Sequence, residues 1–315
     1  MTRYRSALPQ LGGGFFLTDG GIETTLIFLE GLELPDFAAF DLLKTDAGTA
    51  ALRKYFRTYA ALAQRFGTGL ILESATWRAS ADWGAKLGYD TTALRDANGR
   101  AIALLEDIRA EYDVAVRPIV ISGCVGPRGD GYQPTQTMSE AAAEAYHRAQ
   151  VRTFAESAAD MVTAITMNYV AEAVGTARAA RDAGMPVAIS FTVETDGRLP
   201  TGQTLGAAIE QVDAATASYP AYYMVNCAHP THFDRVLAVG ERWVERVRGV
   251  RANASRKSHA ELNEAADLDI GDPAELGAQH AQLRRRLPQL NVMGGCCGTD
   301  DRHVEQIAAA CLSSS

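Results

Sequence analysis

The chain has 315 residues, 47% of them hydrophobic and 22% charged, enough apolar material for a sizeable core in one large domain or two small ones. Its formal charge of −8, with a dense basic run only at Arg284-Arg285-Arg286, leaves no patch of the kind nucleic-acid binding needs. No run approaches the roughly 18 apolar residues of a membrane span, and no h-region follows the first residues, so a cytoplasmic protein with no membrane and no nucleic-acid partner is expected.

Along the chain, short apolar runs end in small or polar residues and give way to helix-like stretches. Phe15-Phe16-Leu17 leads into Thr18-Asp19-Gly20-Gly21. Residues 51–66 then place Leu52, Tyr55, Tyr59, Leu62 and Phe66 at helical spacing. Leu70-Ile71-Leu72 leads into Glu73-Ser74-Ala75-Thr76, and Ile119-Val120-Ile121 into Ser122-Gly123-Cys124. Ser139 suits the N-cap of a helix over 139–158. The run 161–165 leads into Thr166-Met167-Asn168, and Gly184-Met185-Pro186 stops the Ala-rich helix that follows. Val187-Ala188-Ile189 leads into 190–194, and Tyr222-Tyr223-Met224-Val225 into Asn226-Cys227. The last two runs, 247–250 and 290–293, lead into Arg251-Ala252-Asn253 and Gly294-Gly295-Cys296-Cys297-Gly298.

Several of these eight runs are apolar throughout, as strands covered on both faces of a parallel sheet are. Eight alternations without a linker predict a single (β/α)8 barrel domain over 1–315, with a doubly wound open sheet as the alternative. Barrel active sites lie where strands end. The polar residues after the runs are therefore expected to converge: Asp19, Glu73, Thr76, Asn168, Glu194, Asn226, Cys227, Asn253, Cys296 and Cys297.

Five cysteines make a poor disulfide framework, and in a reducing compartment clustered cysteines point to metal or catalysis. Cys227, Cys296 and Cys297 all fall at expected strand ends, with glycines to let the backbone turn at the vicinal pair. Three protein ligands and an open fourth position is the arrangement of a catalytic zinc site. A thiolate-rich shell makes the ion soft and favours a substrate thiol over water as fourth ligand. Coordination deprotonates such a thiol and leaves it nucleophilic toward the methyl group of an onium donor. Packed small hydrophobes or a redox disulfide remain alternatives for the pair. Cys124 and Cys311 read as core, and His229 and His232 as loop residues. His147, His259, His280 and His303 read as surface or helix residues. Trp77, Trp83 and Tyr132 are candidates for stacking on the donor cation, with core packing as the alternative. Glu23 either orients substrate or caps a helix. A zinc-dependent lyase or hydrolase, and a non-catalytic thiol- or metal-binding protein, are the competing functions.

The pentad Gly294-Gly295-Cys296-Cys297-Gly298, with Asn226-Cys227 upstream and Asp19-Gly20 near the start, resembles the homocysteine S-methyltransferase family. Gly126-Pro127, Tyr132, residues 146–150, residues 186–192 and Asp196-Gly197 resemble its further landmarks, in order. The resemblance implies a (β/α)8 barrel with Zn2+ on Cys227, Cys296 and Cys297. It also implies homocysteine as the thiol acceptor, giving methionine. A small onium donor such as betaine, S-methylmethionine or S-adenosylmethionine follows, since the chain has no room for cobalamin or folate domains. Asp19, Gly20 and Thr76 carry over as substrate contacts, with Glu23, Trp77, Arg78, Asn168 and Asn226 as further candidates. A homo-oligomer is left open.

The sequence also departs from the family. A Glu-Thr pair usually follows the fourth strand, its glutamate binding the substrate ammonium, but here the segment is Ala164-Ile165-Thr166-Met167-Asn168. The segment after the second strand reads Thr76-Trp77-Arg78, and that after the seventh Ala252-Asn253-Ala254-Ser255-Arg256. A lost carboxylate and gained Arg78 and Arg256 imply a pocket that holds the amino acid differently or takes another thiol.

Overall fold

All eight runs become strands, because, apart from Arg248, they are buried on both faces and can satisfy their backbone only in a ladder. In the computed structural model, which describes residues 2–116, 118–265 and 267–313, they form one closed parallel barrel in sequence order. The strands are β1 (Phe16–Leu17), β2 (Gly69–Glu73), β3 (Ile119–Val125), β4 (Met161–Met167), β5 (Val187–Phe191), β6 (Tyr222–Asn226), β7 (Val247–Ala252) and β8 (Val292–Gly295). β8 pairs back onto β1, with Phe16 opposite Val292.

The outer ring comprises α1 (Asp46–Phe66), α2 (Thr91–Tyr112), α3 (Glu140–Ala155), α4 (Val170–Asp182), α5 (Leu205–Thr216), α6 (Pro230–Phe233), α7 (Pro273–Arg286) and α8 (Asp301–Leu312). Ser139 does cap α3, its side chain accepting from the Ala142 N–H. Between β6 and β7 the ring is thin: α6 is one turn, and the chain then reverses at Gly240, φ 93°.

The core has two layers. Phe16, Ile71, Val120, Met161, Ala188, Tyr222 and Val292 fill the barrel, while a larger cluster lies between strands and helices. The N-terminal segment plugs the lower end, where the Asn291 amide donates to the Gln10 and Gly14 carbonyls, each at 2.7 Å. A buried Arg109–Asp160 pair at 2.8 Å reinforces that end. The upper end, where strands finish, is left for the site. No helix among the described residues is long and apolar enough to cross a membrane.

Candidate active site

Three strand ends bring the sulfurs together. Backbone N–H groups of Cys227 and Cys296 donate to the carbonyls of Arg251 and Ala252, so β7 holds the ends of β6 and β8 side by side. The sulfurs of Cys227, Cys296 and Cys297 all lie within 4.8 Å of one another. Of the glycines flanking the vicinal pair, Gly298 supplies the left-handed torsion (φ 79°), and a second falls on Cys227 (φ 52°). Gly294 and Gly295 stay in β8, where a Cβ would strike the hydroxyls of Thr18 and Thr299.

Cys227 Sγ is 3.8 Å from Cys297 Sγ. Two sulfurs each about 2.3 Å from one tetrahedral ion would stand about 3.8 Å apart, so the spacing suits a zinc-sized centre. Hydrogen bonds from Cys296, Cys297 and Tyr132 hold the Cys227 thiol well below its ordinary pKa. The hydrogen bonds they donate to Cys227, and the negative charge gathered there, push Cys296 and Cys297 up. Alone, the cluster favours one thiolate; a divalent cation supplies the charge that lets all three ionise.

A second group of residues lines the same cavity. Arg251, buried at the end of β7, sends Nη2 to Asp19 Oδ1 at 2.6 Å, Nη1 to Glu73, and Nε to the Gly295 carbonyl at 3.0 Å. Tyr55 of α1 donates to Asp19 Oδ2 at 2.9 Å. Burial pushes the carboxyls of Asp19 and Glu73 up, against the pull of Arg251. Glu23 lines the cavity too, and burial pushes it up to about 7.

The third side is the loop after β3. Tyr132 places its hydroxyl 3.3 Å from Cys227 Sγ and 3.5 Å from Cys297 Sγ. Its ring stacks on His259, centroids 4.0 Å apart. His259 in turn bonds the Cys227 carbonyl through Nε2 at 2.6 Å and faces Glu194 through Nδ1 at 3.1 Å.

Of the sequence-derived candidates, Asp19, Gly20, Glu23, Glu73, Trp77, Tyr132 and the three cysteines line the cavity together. The others sit behind its walls. Thr76 spends its hydroxyl on the Cys124 carbonyl at 2.7 Å and on Ser74. The Asn168 amide donates to the carbonyls of Asp130 and Gly131, bracing the Tyr132 loop. Arg78 reaches the Gly129 carbonyl at 3.1 Å and stacks on Trp77 and Trp83, of which only Trp77 lines the cavity. Asn226 accepts from Ser190 and the Thr166 N–H and donates to Thr166 Oγ1. Arg256 is exposed and paired with Glu275, so it adds nothing to the pocket. Cys124 lines the cavity away from the sulfur cluster, and Cys311 is buried in α8.

His229 caps α6, accepting from the Thr231 N–H at 3.3 Å. His147, His259, His280 and His303 are on helices but buried rather than at the surface. Arg251, Tyr55 and His259 were not foreseen as site residues. The one signal for Arg251 was its place at the end of the seventh run.

Fold and site together define a (β/α)8 protein with a metal-compatible three-cysteine centre on the rim where barrels do chemistry. The profile of the family described as homocysteine S-methyltransferase matches residues 16–311, and the chain belongs to that family. It is a thiol S-methyltransferase. The chain is similar to the metallated form of the homocysteine methyltransferase MmuM from Escherichia coli. Identity there is 19% and TM-score 0.70, covering 96% of this chain and 98% of that one. The oxidized form of MmuM gives 21% identity and TM-score 0.69, over 98% and 99% of the two chains. No curated protein sequence matches.

Proposed function

We propose that the protein moves a methyl group from a small onium donor to homocysteine, with Zn2+ held by Cys227, Cys296 and Cys297. The observation that carries this reading is three sulfurs within 4.8 Å at the head of a cavity lined by carboxylates and aromatic rings. Bound there, the ion supplies Lewis acidity that lowers the pKa of an acceptor thiol while thiolate ligands keep its sulfur nucleophilic.

The chain's own residues do the rest. Three cavity carboxylates, Asp19, Glu23 and Glu73, face one cavity guanidinium, Arg251, an excess of negative charge suited to an onium and an ammonium. Tyr132 holds two sulfurs in place through its hydroxyl. Asn168 and Arg78 act one step back, pinning the loop that carries Tyr132. Thr76 and Asn226 brace the backbone behind the substrate. Trp77 offers its cavity-facing surface to the donor cation, a contact worth about 0.5–2 kcal/mol.

In the transfer, the donor's C–S or C–N bond breaks with its electron pair leaving on the donor atom. The acceptor sulfur, its proton already released to water, forms the new C–S bond. Holding both reactants in line contributes roughly 7–11 kcal/mol. All five cysteines are free, which suits work in a reducing cytoplasm.

The test is zinc stoichiometry together with mass spectrometry of thiols mixed with betaine, S-methylmethionine or S-adenosylmethionine. Methionine formed from homocysteine in a zinc-dependent manner is the expected result. Turnover unaffected by full chelation would sink the metal reading, and product formed from a thioether or ester without an acceptor would replace methyl transfer with lyase or hydrolase chemistry.

A further inference from the structure

We infer that Glu23 is the residue that binds the α-ammonium group of the acceptor amino acid. This rests on the acceptor being homocysteine, as proposed above, and adds the residue that recognises it.

The cavity's other charged groups are already engaged. Asp19, which the resemblance makes a substrate contact, has both oxygens engaged: Oδ1 by Arg251 at 2.6 Å and Oδ2 by the Tyr55 hydroxyl at 2.9 Å. Glu73 is paired with the same arginine. On the β4 side, Ile165 and Thr166 line the cavity, and the Thr166 hydroxyl already accepts from Asn226 at 2.9 Å. The carboxylate that the family carries there is absent, so that wall cannot take a cation.

Glu23 is different. It lines the cavity with no ion pair and no hydrogen bond to another side chain among the described residues. Among its charged neighbours only Arg78 is a cation. Arg78 is itself committed to Gly129 and stacked between two indoles. A half-buried carboxylate without a counter-ion carries a desolvation cost, and a cation arriving with the substrate relieves it.

Position selects the acceptor over the donor. The loop carrying Glu23 is tied to the vicinal cysteines: Gly21 N–H donates to the Thr299 carbonyl at 3.0 Å, and Gly298 N–H to Thr24 Oγ1 at 3.1 Å. Glu23 therefore stands on the sulfur side, within reach of a group separated from the acceptor sulfur by only three carbons. An ammonium also donates hydrogen bonds to a carboxylate, which a fully alkylated onium cannot.

The experiment compares wild type, E23Q and E23D on homocysteine and on 4-mercaptobutyrate, the same acceptor without its ammonium. Metal content is measured in each variant. E23Q is expected to raise KM for homocysteine about tenfold or more, with kcat within about threefold and KM for 4-mercaptobutyrate nearly unchanged. E23D recovers part of the loss, and metal content stays at the wild-type level.

An unchanged homocysteine KM in E23Q overturns the inference. So does a rise in the donor's KM alone, or a wild type that takes 4-mercaptobutyrate as well as homocysteine. Failure of wild type to methylate homocysteine with any donor is a separate outcome: it removes the underlying functional reading and this assignment with it.

Discussion

The cavity has a sulfur side and a carboxylate side, and they are built by different means. On the sulfur side, backbone does the positioning. Carbonyls of β7 hold Cys227 and Cys296, and a left-handed torsion at Cys227 turns its side chain inward. The side chains there are free to receive an ion. On the carboxylate side, side chains position one another, and Arg251 is engaged by Asp19, Glu73 and two backbone carbonyls. The first arrangement is open to a ligand. The second is largely closed, which makes it a source of rigidity and background charge. A substitution on the sulfur side should therefore damage chemistry before stability, and one on the carboxylate side the reverse.

The largest expected effect tests the sulfur side. Cys297→Ser should lose stoichiometric metal and methyl transfer together, beyond the roughly 10–100-fold that loss of an outer partner costs. Circular dichroism and the denaturation midpoint should stay near wild type. A variant that keeps turnover, or one that unfolds, breaks the contrast.

Arg251→Met probes the other side. Removing the cation leaves Asp19 and Glu73 buried without compensation, and breaking such a network costs about 3–5 kcal/mol. Urea unfolding should show that loss; a midpoint equal to wild type would mean that the carboxylates are neutral without Arg251.

Tyr132→Phe is an intermediate case, since it deletes only the hydroxyl on Cys227 and Cys297. Metal affinity or activity should fall about 10–100-fold with little change in stability. Competition with a chelator measures it, and an unchanged affinity would reduce Tyr132 to packing.

The smallest effect is acid sensitivity behind β8. Burial pushes His280 down from 6.5 to about 4. Its folded pKa lies below its unfolded one, so the stability gained by keeping it neutral is complete above about 6.5. That stability is withdrawn as pH falls toward 4. Hydrogen exchange in α7 should quicken over that window, and His280→Gln should flatten the response. Equal pH dependence in the variant would assign the loss elsewhere.

Much of this fold was legible because parallel strands buried on both faces leave unbroken apolar runs, and because Ser139 and Gly184 punctuate helices. The run ending at Val250 extends through Arg251 to Ala252, and the helix expected after β6 shrinks to one turn, since Pro230 starts it and nothing periodic continues it. In the site, cysteines stood out because they are few and fall at strand ends. Arg251 did not, because its partners Asp19 and Glu73 lie 232 and 178 positions away. Burial of His147 against Glu172 was equally hidden, since helical spacing alone does not say which face meets the barrel.

One contact has a consequence for acceptor length. A Cβ at Gly21 would run into the Cys296 carbonyl oxygen, so the first and last loops of the barrel meet backbone to backbone. The span from the sulfur cluster to Glu23 is thereby a fixed gauge rather than an adjustable one. A thiol one methylene shorter, such as cysteine, would have to release one end to hold the other.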